Sequence, residues 1–271
     1  MEQQEPVFNV PKVILGLVLA MGLIHAGRVW LLGDRADFDL IEQFAFVPAR
    51  LTLLFDPQGV ARALREIALR GGDDIRIAAL FFDDGSFQPW TLLTYAFLHA
   101  DWLHYGLNSI WLLAFGAPVA RRFGVMRFLA LFFVTALSGI LVHYMLHHFD
   151  PKPVIGASAS VSGAMGAALR FVFQPGAPLG RALAMGRDEE LAYRPPALPL
   201  GQCLRDRRVL TFIMFWFAMN FIFGIAAQPL GLSDGSVAWE AHVGGFLGGL
   251  LLFSWFDPKP RDFMYSVPPY P

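Results

Sequence analysis

The chain has almost no cysteine. A single thiol, Cys203, among 271 residues excludes an internal disulfide and a multi-cysteine zinc site. Charge is scarce as well: 16% of residues are charged, where soluble domains carry about a quarter. The 21 basic and 22 acidic residues leave a net charge of -1, which argues against a nucleic-acid partner. The opening MEQQEPVFNVPK has no basic n-region, and no small-residue cleavage site follows the first apolar run. That run is therefore expected to be a retained anchor rather than a removed signal peptide. No internal repeat and no stretch with its own soluble core is present. What abounds is apolar: 55% hydrophobic residues, 26 of them phenylalanine, and a mean hydropathy of +0.48. This balance predicts an all-α membrane protein with the lipid bilayer as its solvent.

A crossing helix needs about 20 mostly apolar residues, because lipid offers stray backbone groups no partner. Six segments qualify: Val13–Leu32, Trp102–Ala120, Phe128–Leu146, Ala157–Gln174, Val209–Gln228 and Ala238–Phe256. They define a membrane domain over 13–256, a leading segment 1–12 and a tail 257–271. Lys and Arg fix the orientation. Linkers 1–12, 121–127, 175–208 and 257–271 together hold 12, whereas 147–156 and 229–237 hold one, Lys152. Both termini are thus expected in the cytoplasm. The long first external loop, 33–101, is expected to associate with the membrane. Its segment 61–70 has apolar positions at helical spacing with arginines between them, which suits a helix on the membrane surface or one packed on the protein. Its segment 90–98 is too short to cross and reads as a dip into the interface. Linker 175–208 has the prolines and charges of a poorly ordered loop.

Ionisable groups inside spans each ask for a reason. Arg28 and Arg170, near span ends, are expected to snorkel. His104 and Asn108 in span two, Ser158 in span four and His242 in span six all fall in the first two turns of spans that run in one direction. They therefore share one outer layer of the membrane. A serine hydroxyl attacks only when a base takes its proton, and neutral histidine is the usual base. Ser158 and His242 lie 84 residues apart, so helix packing has to unite them. Gly163, Ala164, Gly166, Ala167 and Ala168 on span four and Gly244, Gly245, Gly248 and Gly249 on span six permit close approach. Asn108, His104 one turn before it, and the free backbone N–H of Ser158 at a helix start can serve a developing oxyanion. No acid is placed to orient His242, since Glu240 lies on another helix face; a dyad is expected.

These elements resemble the rhomboid intramembrane serine proteases. The resemblance rests on His99-Ala-Asp-Trp-Leu-His104-Tyr-Gly-Leu-Asn108, on Gly156-Ala157-Ser158 and on Ala241-His242-Val243-Gly244-Gly245, and covers about residues 13–256. It implies a six-helix rhomboid-like bundle with Ser158 as nucleophile and His242 as base. His104, Asn108 and the Ser158 amide would form the oxyanion hole. The implied activity is endoproteolysis of single-span transmembrane substrates, which enter sideways and are cut where Gly, Pro or small residues loosen their helix. No cofactor and no metal is expected. The chain departs from the family pattern at Ala159, where glycine is usual after the serine, at Ser162, where some members carry tyrosine, and at Thr91, where some carry arginine. A bacterial plasma membrane is the expected location.

Two other readings stand beside this one. A rhomboid-like protein of weak or absent catalysis could keep the fold to bind transmembrane clients. A metal protein could use His143 and His147, spaced i, i+4 with His148 next to them. No Glu follows His143 in an H-E-x-x-H pattern, and the pair falls where a helix meets water, so solvated interfacial histidines are expected.

Overall fold

A computed structural model describes residues 10–71, 86–174, 177, 196–226 and 238–258. Among them no strand occurs, only one isolated antiparallel bridge between Phe46 and Val154. Helix α1, Lys12–Leu31, buries Ile14, Leu17, Met21, His25 and Arg28 along one stripe and exposes Leu15, Leu19 and Leu23. The first loop folds into short helices: α2 (Asp34–Phe44), α3 (Pro48–Thr52), α4 (Pro57–Arg70) and α5 (Thr91–Thr94), with a 3₁₀ turn at Tyr95–Phe97. Proline in the first turn suits α3 and α4 because those N–H groups need no partner. Asp56 caps α4 by accepting from the Gly59 amide at 2.7 Å.

Tyr95 and Ala96 are buried in the core, and the Tyr95 hydroxyl donates to the Ala136 carbonyl at 2.8 Å. Segment 90–98 thus packs Thr91, Tyr95, Ala96 and Leu98 inward while Trp90 and Leu93 stay exposed. The aromatic ring drives this, since its hydroxyl finds a protein partner and its face buries.

The second expected span is interrupted. Helix α6 (Trp102–Trp111) passes through a π turn at Leu112–Gly116 into α7 (Ala117–Phe123). Pro118 has no N–H to give the carbonyl four residues back, and the wider turn absorbs that loss. Helix α8 runs Val125–His147 after Gly124, which adopts φ 74°. Helix α9, Ser158–Ala168, is buried from Ala159 to Ala168 and forms the centre of the bundle. After it come α10 (Leu200–Cys203), α11 (Arg207–Ala226) and α12 (Trp239–Phe256). Two of the described helices, α1 and α8, are long and apolar enough to cross a membrane. The fourth expected span is helical only as far as Ala168, and Glu240 and His242 occupy the first turn of α12.

Helices α8, α9 and α12 meet at backbone distance. A Cβ on Gly245 would run into the Ala159 carbonyl, one on Gly249 into the Gly163 carbonyl, and one on Gly166 into the Phe246 carbonyl. Small residues in lipid permit this approach, and dispersion between the backbones holds it. On the far side of α12, α11 stacks Trp216 on Phe246 with ring centroids 4.4 Å apart.

Both arginines expected to snorkel are buried. Arg28, 5% exposed, pairs with Asp37 at 2.6 Å and donates to the His99 carbonyl at 2.7 Å. Arg170 donates to the carbonyls of Leu198 at 2.8 Å and Leu250 at 3.1 Å and lies over the Phe253 ring. Each finds enough acceptors inside the protein to offset its desolvation, so reaching for the interface gains nothing. Residues 1–9, most of linker 175–208, the 229–237 loop and the tail from 259 lie outside the described residues.

Candidate active site

One end of the bundle gathers the chemistry. The final turn of α1 reaches the segment before α6 through the Arg28 bond to His99, and the last turn of α8 meets the first turn of α12 where His147 touches Glu240 at 2.9 Å. The starts of α6, α9 and α12 therefore share that end, and His104, Ser158 and His242 each sit within a turn of one of those starts.

Ser158 opens α9, where the first amide groups have no intrahelical acceptor and the helix dipole is positive. The strand-like segment before it is fixed by the first loop: the Val154 amide donates to the Phe46 carbonyl at 2.7 Å and the Gly156 amide to the Tyr95 carbonyl at 2.9 Å. Gly156 adopts φ 123°, a conformation that side chains disfavour. A Cβ there would lie 2.8 Å from both Cε1 and Nε2 of His104 and 3.7 Å from the Ser158 Oγ. The glycine is thus the point at which the His104 ring edge and the serine hydroxyl approach each other.

The His104 backbone amide is capped by Asp101 at 2.7 Å, and its Nδ1 accepts a long bond, 3.4 Å, from the Ala100 amide. With Nδ1 as acceptor, the ring proton belongs on Nε2, the atom that faces Gly156. Asn108, one turn along, is 5% exposed and donates from Nδ2 to the His104 carbonyl at 2.9 Å. One of its amide hydrogens is thereby held within the helix, and the second remains to it.

His242 is half-buried, and its Nδ1 lies 2.6 Å from the Oδ1 of Asn220 on α11. The amide cannot be reversed without loss, because Asn220 Nδ2 already donates to the Trp216 carbonyl at 2.8 Å. Oδ1 has only lone pairs, so Nδ1 carries the proton and Nε2 is left as the bare, basic nitrogen. The sequence signals Asn220 only as an amide in the middle of an apolar span.

Contacts around the serine bring its neighbours to those of the histidine. A Cβ on Gly139 of α8 would lie 2.5 Å from the Ala159 Cβ and 2.6 Å from the Ala241 carbonyl oxygen. The residues following Ser158 and preceding His242 therefore converge on one point. The Ser158 hydroxyl is half-buried and makes no hydrogen bond among the described residues.

Of the histidines expected to be solvated, His147 is 40% exposed but His143 is buried. His143 is 6% exposed, and both rings turn to Glu240, which is 8% exposed. A buried carboxylate attracts the donors within reach; His147 supplies one at 2.9 Å, while His143 stands 3.5 Å away.

A serine at the start of one helix and an oriented histidine in the first turn of its neighbour thus lie at one end of an apolar helical bundle. Residues 86–257 match the family model for the rhomboid domain. The chain is 34% identical over 160 residues to the Rhomboid protease GluP of Bacillus subtilis, covering 59% of this chain and 24% of that protein. It is 28% identical over 168 residues to the Rhomboid protease GlpG of Yersinia pestis, covering 62% and 48%. It is also 28% identical over 173 residues to the RHOMBOID-like protein 5 of Arabidopsis thaliana, covering 60% and 52%. The chain belongs to the rhomboid family, whose members are integral membrane proteins and generally intramembrane serine proteases. It spans between about a quarter and about half of the length of these relatives.

Proposed function

We propose that this chain is an intramembrane serine endopeptidase that cuts transmembrane segments of membrane-protein substrates. His242 Nε2 takes the Ser158 proton as Oγ attacks the scissile carbonyl carbon. The resulting oxyanion is held by His104 Nε2–H, the free Asn108 amide hydrogen and the Ser158 backbone N–H. As the C–N bond breaks, His242 returns the proton to the departing amine. A water molecule, deprotonated by the same nitrogen, then attacks the ester; the acyl–Oγ bond breaks, His242 returns the proton to Ser158 Oγ and the acyl group leaves as a carboxylic acid. The observation that carries this reading is the Trp216–Asn220–His242 relay, which fixes the tautomer a general base requires. Hydrogen bonds between nucleophile and base often tighten only once substrate is bound, so the unbonded hydroxyl is compatible with the role.

The same proposal includes six crossings with both termini in the cytoplasm and the site opening outward. The distribution of Lys and Arg supports it, with 12 in the linkers assigned inside and one in the short linkers opposite. Single-span proteins are the substrate class, because a polytopic helix is held by its neighbours and cannot leave sideways. A bacterial plasma membrane is the proposed location, and two of the relatives above are bacterial. A serine-directed fluorophosphonate tests the reading: labelling of the wild type that disappears in Ser158→Ala supports an activated nucleophile. An unlabelled wild type whose melting transition is intact contradicts it and favours a client-binding protein without proteolysis.

A further inference from the structure

The cluster of His143, His147 and Glu240 is not used by the proposed reaction. It joins the last two turns of α8 to the first turn of α12. His143 Nδ1 lies 3.5 Å from Glu240 Oε2 and His147 Nε2 lies 2.9 Å from Oε1. The ligand atoms of all three residues fall within 4.8 Å of one another. Around tetrahedral zinc with ligands at 2.0–2.1 Å, donor atoms are about 3.3 Å apart, a value between the two measured separations. The imidazoles are stacked, with centroids 4.8 Å apart, so both present an edge to the same side.

A second observation points to a missing ligand. His143 is more than nine-tenths buried and its Nδ1 has no hydrogen-bond partner. A buried ring nitrogen left unpaired costs about 1–3 kcal/mol, and the carboxylate beside it is too far for a good bond. A cation between them removes both deficits, since it takes the lone pair of each imidazole and the charge of Glu240. The His147 side chain is 40% exposed, which leaves the third side open to water.

We infer that His143, His147 and Glu240 form a binding site for a divalent transition-metal ion of the zinc class, with water completing the coordination, and that the ion clamps α8 to α12. Two imidazoles and one carboxylate are the donor set that borderline metals prefer over magnesium or calcium. The sequence conceals the site because the carboxylate comes from another helix, 93 residues after His147. No local H-E-x-x-H pattern is needed. The inference does not depend on proteolysis, since none of the three ligands takes part in the reaction proposed above.

The test uses the full chain, purified without a polyhistidine tag, stripped with EDTA and titrated with Zn²⁺ in detergent near neutral pH. Zinc content after desalting and the thermal midpoint are both read. The wild type is expected to retain one equivalent and to melt at a higher temperature with zinc than without. His147→Gln and Glu240→Gln should each weaken zinc binding by about tenfold or more. His147→Gln is the safer variant for folding because its side chain is partly exposed. His242→Ala should bind zinc like the wild type, which separates this cluster from the histidines of the active site. A wild type that retains no zinc overturns the inference and leaves the cluster as a proton-sharing ion triad. Retention undiminished in both variants, or lost in His242→Ala, also overturns it by locating the metal elsewhere.

Discussion

Asn220 shows how one amide can decide which nitrogen of the His242 ring carries the proton. Its Nδ2 is committed to the Trp216 carbonyl, so its Oδ1 must accept from His242. Asn220→Leu removes the acceptor and frees the ring to rotate or change tautomer. It is expected to lower kcat by about tenfold or more with KM little changed, because the base is misplaced only during proton transfer. Equal kcat in wild type and variant, measured on a transmembrane reporter, would show that the relay does not orient the base. The sequence singled out Ser158, His242, His104 and Asn108 because each is a costly polar group in an apolar span. Asn220 meets the same criterion but carries no motif, and Glu240, on another face from His242, finds its partners in His143 and His147. Their roles arise from neighbours distant in sequence.

His99 gives a second residue-scale expectation. Desolvation first, then repulsion from His104 and His25 once they are protonated and from the Arg28 guanidinium, holds its imidazole well below the ordinary value, at about 3. Below about pH 6.5 the unfolded chain takes up a proton on this residue and the folded chain does not, so stability falls as the pH drops from about 6.5 towards 3. The slope contributed is at most about 1.4 kcal/mol per pH unit. His99→Gln should flatten the decline of the thermal midpoint between about pH 7 and pH 5. An unchanged slope in the variant would mean that other groups govern the acid response.

At the scale of elements, glycine sets the geometry. Gly249 of α12 touches the Gly163 carbonyl so closely that even one methyl has no room. Gly249→Ala is expected to force α9 and α12 apart and to cost about 1–3 kcal/mol, read as a lowered unfolding midpoint in detergent. Gly27→Ala on α1, where a Cβ would meet nothing within 4 Å, should leave the midpoint unchanged or raise it. Gly156→Ala combines a disfavoured φ with a collision against the His104 ring. Its effect should fall on kcat more than on stability, because the proposed oxyanion donor His104 moves. The clusters of small residues made the α9–α12 contact legible in advance. The interruption at Leu112–Gly116 was also encoded, through Pro118, but apolar composition hides it: a π turn is as greasy as the helix it replaces. Arg28 and Arg170 depart from expectation for the opposite reason. Their position near helix ends suggested solvent, whereas their acceptors, the His99, Leu198 and Leu250 carbonyls, lie far along the chain.

For the whole molecule, the arrangement follows from solvent. A chain with few charges and large apolar faces, such as Leu15, Leu19 and Leu23 of α1 or Met214 and Phe215 of α11, exposes what a water-soluble domain would bury. Hydrophobic burial does not sort its helices; backbone contact between small residues and a few buried ion pairs do. Arg28–Asp37 ties the first loop to α1, and Arg122–Asp257 at 2.6 Å ties α7 to the end of α12. Between these ties the serine, the histidines and Asn220 come to one end of the bundle. The central claim is that this end hydrolyses peptide bonds within membrane segments. Its most direct test is cleavage of a single-span reporter, reconstituted in lipid with either the wild type or Ser158→Ala. The account predicts that the wild type cuts the reporter within or beside its transmembrane segment and that Ser158→Ala, equally folded, does not. Cleavage that persists in Ser158→Ala would contradict it.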